Sequence, residues 1–418
     1  MYRNSNHARC SQSPQPFSYI SDAHRRLKLF TFLAVSSCAA LALPSPPPSP
    51  RLTAHSSFQC IGTGSQSFDW NVFLLTERPI CVLNDVCMID DELVYYEDPA
   101  VEGAARSIYH FAEATVKVTH GLFHERVPVR IVRGPLPGDA AFAPVNRVHA
   151  LDIMSDASNY GHLLIDTVIP AFAAAEIFGF APETLQLVQL LSCDTYLNRT
   201  RMEHKAGPNF FKKYVERCRE QLQRWIPLLF SHPMLMPPHK KQCFHTLLYG
   251  HSGMMHGQSF FPHRSSAVRA MRLALYENLR IPLPELHPPA GHKVFVWRKL
   301  VEYTASEFNP CALVDAWGLK LQTTCITPAL MDTRSQATEM ADATLVVAEE
   351  GSTTYGAFFF LRPGASLIVI GQKEAHMLFE LSHINVFFIS VARAKSAGEG
   401  AALVDLALDR AGRRFEVL

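Results

Sequence analysis

The residues best suited to chemistry fall in one run, Ala341-Asp-Ala-Thr-Leu-Val-Val-Ala-Glu-Glu-Gly-Ser-Thr-Thr-Tyr-Gly356. A strand pattern delivers the chain to Glu349-Glu350-Gly351, and Ser352 or Thr353 then caps a helix whose first N–H groups lack intrahelical acceptors. Gly351 lets a ligand approach the backbone, the hydroxyls of Ser352, Thr353 and Thr354 add donors, and the helix dipole favours an anion such as a diphosphate. The same composition also suits an ordinary capped strand-to-helix turn, so a second positive group is needed. Arg298, with Lys299 beside it, follows the apolar strand pattern Val294-Phe-Val-Trp297 and offers the planar fork that suits a diphosphate. His162 and Asp166 stand four residues apart, on one face of a helix, where the carboxylate can orient the imidazole for proton transfer; the spacing fits a surface pair equally well.

Three other signals carry less. Asp90-Asp-Glu92 resembles a metal-binding acidic motif, but acid runs before a strand are usually solvated loop. Tyr249-Gly-His-Ser-Gly-Met254 approaches the esterase nucleophile elbow and has Met254 where the closing glycine belongs. His251, His256 and His263 share one loop-like region without a metal-ligand spacing, and no metal site is expected.

These residues need elements to hold them. From residue 292 onward the rhythm is regular: strand Val294 to Trp297, helix near Pro310 to Gly318, strand Lys320 to Ile326, helix near Ala329 to Ala341, strand Thr344 to Ala348. It continues with a helix near Thr353 to Leu361, strand Ser366 to Ile370, a helix near Glu374 to Ser382 and strand Val386 to Ser390. Alternation at this spacing predicts an α/β fold with a parallel, doubly wound sheet whose ligand binds at the strands' carboxyl ends. Earlier the pattern is mixed, with strand-like Val127 to Val132, Leu185 to Leu191 and Phe244 to Tyr249, a helix from Ser158 or Asn159 toward Phe178, and another over Phe210 to Trp225. Ile281-Pro-Leu-Pro-Glu-Leu-His-Pro-Pro-Ala-Gly291 reads as a linker between a segment over 58–280 and one over 292–418.

Lys+Arg 39 against Asp+Glu 38 gives a formal charge of +1, which removes the bulk electrostatic case for nucleic acid. Basic residues of the first 28, among them Arg25, Arg26 and Lys28, precede an uncharged apolar run over 29–43. At about 15 residues, roughly 22 Å as a helix, that run suits either a signal peptide or a short membrane anchor. Both direct the remainder into the secretory lumen, behind a Pro/Ser-rich stem over 44–57. Cys60, Cys81, Cys87, Cys193, Cys218, Cys243, Cys311 and Cys325 form an even set compatible with disulfides in an oxidising compartment, with connectivity left open. Asn198-Arg-Thr200 is a glycosylation sequon.

Three segments together resemble glycosyltransferase family 61, which includes plant β-1,2-xylosyltransferase and O-linked GlcNAc-transferases of the secretory pathway. They are Ser158-Asn-Tyr-Gly-His-Leu-Leu-Ile-Asp166, Val294-Phe-Val-Trp-Arg-Lys299 and the block Ala341 to Ile370; Cys81-Val-Leu-Asn-Asp-Val-Cys87 adds to the likeness. Where many members read H-G-A-G, this chain reads Glu350-Gly-Ser-Thr353. The resemblance implies a GT-B architecture of two Rossmann-like domains, an acceptor-side domain over 58–280 and a nucleotide-sugar-binding domain over 292–418. It implies an inverting, usually metal-independent transfer from a nucleotide sugar, with a UDP-sugar favoured, to a glycan or glycoprotein hydroxyl. His162 and Asp166 would then be catalytic, and Arg298, Lys299, Glu350, Gly351, Ser352, Thr353 and Thr354 donor-binding. The Golgi or another secretory lumen is the expected location, for a single-pass type II membrane protein or a secreted one. The alternative is a lumenal glycan-binding or scaffold protein that keeps the fold without catalysis.

Overall fold

The computed structural model describes residues 55–61, 80–90, 92–100, 129–152, 157, 160–190, 192–194, 208–236, 241–251, 264–283, 292–298, 309–371 and 383–413. The basic tail, the apolar run over 29–43, Asn198, Lys299, the helix expected near 374–382 and most of the expected linker lie outside these residues. No helix among the described residues is long and apolar enough to cross a membrane.

The chain is mixed α/β. The first part builds a seven-stranded mixed sheet from β1 (Ser57–Ile61), β2 (Ile80–Ile89), β3 (Glu92–Glu97), β4 (Val129–Arg133), β5 (Val148–Asp152), β6 (Leu185–Gln189) and β7 (Lys241–Tyr249). The order is β4-β3-β2-β7-β5-β6, with β1 on β2; β5 is parallel to both β6 and β7, whereas β2 is antiparallel to β1, β3 and β7. Asp90 and Glu92 of the acid run lie at the β2–β3 hairpin, where Glu92 meets Arg130 at 3.0 Å.

Between β5 and β6 runs a helix, α1, composed of Tyr160–His162, a π-helical turn over Leu163–Val168 and Ile169–Ile177. The π turn departs from the regular helix expected, because Pro170 has no N–H to give the carbonyl of residue 166. The α-helical geometry assumed for His162 and Asp166 therefore does not hold there, and both side chains lie outside what is described. The stretch from Ile169 to Ala175 is buried on every side, as an apolar-all-round helix must be. With α2 (Pro208–Leu229) and α3 (Arg264–Leu279) it fills the layer beneath the sheet.

The second sheet is five-stranded and wholly parallel: β8 (Val294–Trp297), β9 (Thr323–Ile326), β10 (Leu345–Glu349), β11 (Ser366–Gly371) and β12 (Asn385–Ser390), in the order β12-β11-β10-β8-β9. Its helices are α4 (Pro310–Ala316), α5 (Thr333–Ala341), α6 (Ser352–Phe360), α7 (Val391–Ala394) and α8 (Ala397–Arg413). Alternate residues sort to opposite faces: Phe295, Trp297, Val346 and Ala348 pack with α5 and α6, whereas Val294, Val296, Leu345 and Val347 pack with α4 and α8. Helices on both faces explain why these strands read as continuous apolar runs. The core that holds α5 and α6 also takes in Trp225, Met271 and Leu248, so the two sheets share one apolar interior across α1–α3.

Four disulfides pair all eight cysteines beyond residue 50: Cys60–Cys81, Cys87–Cys243, Cys193–Cys218 and Cys311–Cys325. The first two link residues directly opposite each other in the β1–β2 and β2–β7 ladders.

Candidate functional site

In sequence terms the second sheet has the order 2-1-3-4-5, so successive connections leave in opposite directions from the first strand, β8, and the third, β10. A crevice opens there at the carboxyl ends, the position at which open α/β sheets hold ligands. Trp297-Arg298 ends β8 and Glu349-Glu350-Gly351 ends β10, so the topology sets Arg298 and the start of α6 on its two sides.

Arg298 is half-buried and fixed at two points. Its backbone N–H donates to the Ile326 carbonyl at 3.1 Å, and its Nε donates to Thr327 Oγ1 at 2.8 Å. Thr327 follows β9 directly, so the neighbouring strand orients the guanidinium. Among the described residues, neither terminal nitrogen of Arg298 has a hydrogen-bond or ion-pair partner, which leaves the pair free for a bidentate anion.

Gly351, the residue before α6, has φ 121° and ψ −155°. That is a region essentially reserved for glycine. Its carbonyl accepts from Thr354 N–H at 3.0 Å, which begins the helix. Thr354 differs from the expectation of a ligand-facing donor: it is buried, and its hydroxyl donates to the Glu349 carbonyl at 2.9 Å. The backbones of Ser352 and Thr353 open the helix, and their side chains lie outside what is described. Glu350 N–H donates to the Ile370 carbonyl at 2.9 Å, and its side chain lies against Gly371 of β11, where no Cβ would fit. The Glu350 side chain thus lies toward β11, on the side of β10 away from β8.

The sequence gives no hint of what supports α6. At its last turn, Arg272 of α3 donates through Nε to the Phe359 carbonyl at 2.9 Å and through Nη2 to that of Leu361, while Tyr276 Oη donates to Phe360 at 2.7 Å. Three carbonyls that the helix leaves unpaired are satisfied in this way, and a cation stands at the negative end of the dipole. Burial holds the Arg272 pKa below its ordinary value and pushes Tyr276 up. One turn in, Gly356 N–H donates to Tyr160 Oη at 3.2 Å, and a Cβ on Gly356 would stand 3.0 Å from both Trp297 Cζ3 and Tyr160 Oη. Tyr160 belongs to the Asn159-Tyr-Gly-His162 segment, so two segments singled out separately meet here across 196 residues. Tyr160 also stacks on Trp225, with ring centroids 5.8 Å apart, and Trp225 on Phe360 at 6.0 Å. Burial raises the Tyr160 phenol above its ordinary range, so it remains protonated.

Two buried histidines stand apart. His251, after β7, is wholly enclosed, neither ring nitrogen has a partner among the described residues, and desolvation lowers its pKa to about 4. His149 on β5 is likewise lowered to about 4, chiefly by burial. His245 and Asp85 form a pair on the N-terminal sheet, 2.9 Å apart beneath the Phe142 ring, with Asp85 at φ 53°.

Compared with known proteins, the chain matches no family model and no curated protein.

Proposed function

We propose that the chain is an inverting glycosyltransferase of GT-B type, in which two Rossmann-like halves carry a sugar from a nucleotide donor, a UDP-sugar, to a glycan or protein hydroxyl. The observation that carries this reading is Arg298: a half-buried guanidinium, oriented by Thr327, whose terminal nitrogens have no partner among the described residues, at the switch point of a parallel sheet and opposite the Gly351 turn. A departing nucleoside diphosphate needs fixed positive charge and aligned donors that cost no reorganisation as the bond breaks. A fork and a helix N-terminus supply both. The acceptor hydroxyl must lose its proton to a base, and the reading assigns that role to His162, steered by Asp166. Their backbone lies on α1 directly after Tyr160, the residue that touches α6. The pairing of all eight cysteines beyond residue 50 favours an oxidising lumen, reached by anchor or cleaved signal.

Glu350, standing where many members of the resembling family carry a histidine, favours a second reading, a lumenal binding protein without turnover. Incubation of the purified full chain with a panel of UDP- and GDP-sugars separates the two. Transferase ancestry with retained catalysis predicts slow release of free sugar from one donor. Thermal stabilisation by a nucleotide without such release would select the binding protein, and neither effect with any member of the panel would overturn both.

A further inference from the structure

The N-terminus of α6 is built by one half of the chain and held by the other. Its last turn is anchored by Arg272 and Tyr276 of α3, and by the Trp225–Phe360 stack. Toward its start, α6 has a different tether from the N-terminal half: one turn in, Gly356 N–H donates to Tyr160 Oη. The approach is so close that a methyl group on Gly356 would press on both Tyr160 and Trp297, and Trp297 is the residue from which Arg298 leaves the sheet. Three residues therefore share one contact: Tyr160 from the N-terminal half, Gly356 one turn into α6, and Trp297, which directly precedes Arg298. Among the described residues no acceptor takes the hydroxyl hydrogen of Tyr160 itself, so the phenol accepts from the helix while keeping a donor in hand.

We infer that Tyr160 is a positioning residue of the anion site: it sets the distance between the first turn of α6 and Arg298, so that the N-terminal half tunes how tightly the C-terminal half grips a diphosphate. This rests on the reading of that crevice as a nucleotide site. A pre-set spacing matters because two groups that must grip one ligand lose binding when either has to move to reach it. The ring of Tyr160 remains stacked on Trp225 if only the hydroxyl is removed, so Tyr160→Phe isolates the tether from the packing.

The test uses the full chain, with UDP and GDP as probes, and reads calorimetric affinity together with hydrogen exchange. For Tyr160→Phe, affinity is expected to fall roughly three- to tenfold, the span of one neutral hydrogen bond. Exchange should quicken across residues 350–357 and stay unchanged across 358–362, a split that general loss of stability does not produce. Gly356→Ala perturbs the same contact from the helix side and should weaken binding in the same sense. A wild-type chain that binds neither nucleotide would overturn the functional reading, and this role for Tyr160 with it. Binding by the wild type that Tyr160→Phe leaves unaltered, or uniform exchange along α6, would overturn the inference alone.

Discussion

Gly351→Ala perturbs the turn that opens α6 at a single backbone position. At φ 121° and ψ −155°, a Cβ forces the residue into a conformation that side chains other than hydrogen scarcely adopt. Strain of that kind costs about 1–3 kcal/mol. Alanine also restricts the unfolded chain, which returns about 0.4–1 kcal/mol, so a net loss of about 1–2 kcal/mol is expected. Gly398, near the start of α8, is the control: it has no positive φ and nothing within 4 Å of an added Cβ, so Gly398→Ala should gain about 0.5 kcal/mol. Urea unfolding of both variants with disulfides intact gives the comparison directly. The two changes are chemically identical, yet they should move stability in opposite directions. If Gly351→Ala matched Gly398→Ala, the strained turn would be absent, and so would the reason that its amides face the crevice.

Other expectations follow from the buried groups and cross-links. Desolvation lowers His149 and His251 from 6.5 to about 4, so the unfolded chain takes up these protons first. Stability is then fully present above about pH 6.5 and lost as pH falls toward 4, by about 3 kcal/mol per histidine. His251→Gln should flatten that dependence in urea titrations from pH 7 to 4.5, and an unchanged slope would contradict the assignment. Cys87–Cys243 closes a sequence separation of 156 and Cys311–Cys325 one of 14, so replacing each pair by alanine should cost about 5 and about 3 kcal/mol respectively; equal losses would argue against chain entropy as the cause. Arg272→Met leaves the Phe359 and Leu361 carbonyls without their donor and should cost about 2–4 kcal/mol, whereas Tyr276→Phe should cost about 1, both read from unfolding midpoints.

What the sequence disclosed followed from how local each signal is. Val294 to Trp297 is legible to the residue because a strand buried on both faces cannot carry a polar side chain, and β10 and β11 follow from the same rule. The strand expected over Lys320 to Ile326 is only Thr323–Ile326, an edge strand paired on one side, with Thr324 and Cys325 exposed. The helix expected from Ala329 starts instead at Thr333, after a short 3-10 turn, because Asp332 caps it by accepting from Ser335 N–H at 2.9 Å. An aspartate three residues before a serine is a local capping signal. Arg298 and Gly351 could be found because each ends its own strand. Thr327, Tyr160 and Gly356 could not, since their roles exist only once β9 lies beside β8 and α1 abuts α6. Nor does any local pattern encode the strand order that puts the crevice between β8 and β10. Thr354 misled for a related reason: a hydroxyl in a first turn can face a ligand or bond back to the strand, and here the Glu349 carbonyl takes it.

The proposed function requires a diphosphate gripped between Arg298 and the first turn of α6. Calorimetric titration of UDP and GDP into the wild-type chain and into Arg298→Ala, each shown to be folded, addresses it most directly. Loss of a charge-assisted, bidentate contact is worth about 1.5–3 kcal/mol, so one nucleotide should bind the wild type and bind Arg298→Ala roughly tenfold to a hundredfold more weakly. Equal affinity in the two proteins, or no binding by the wild type, would contradict it.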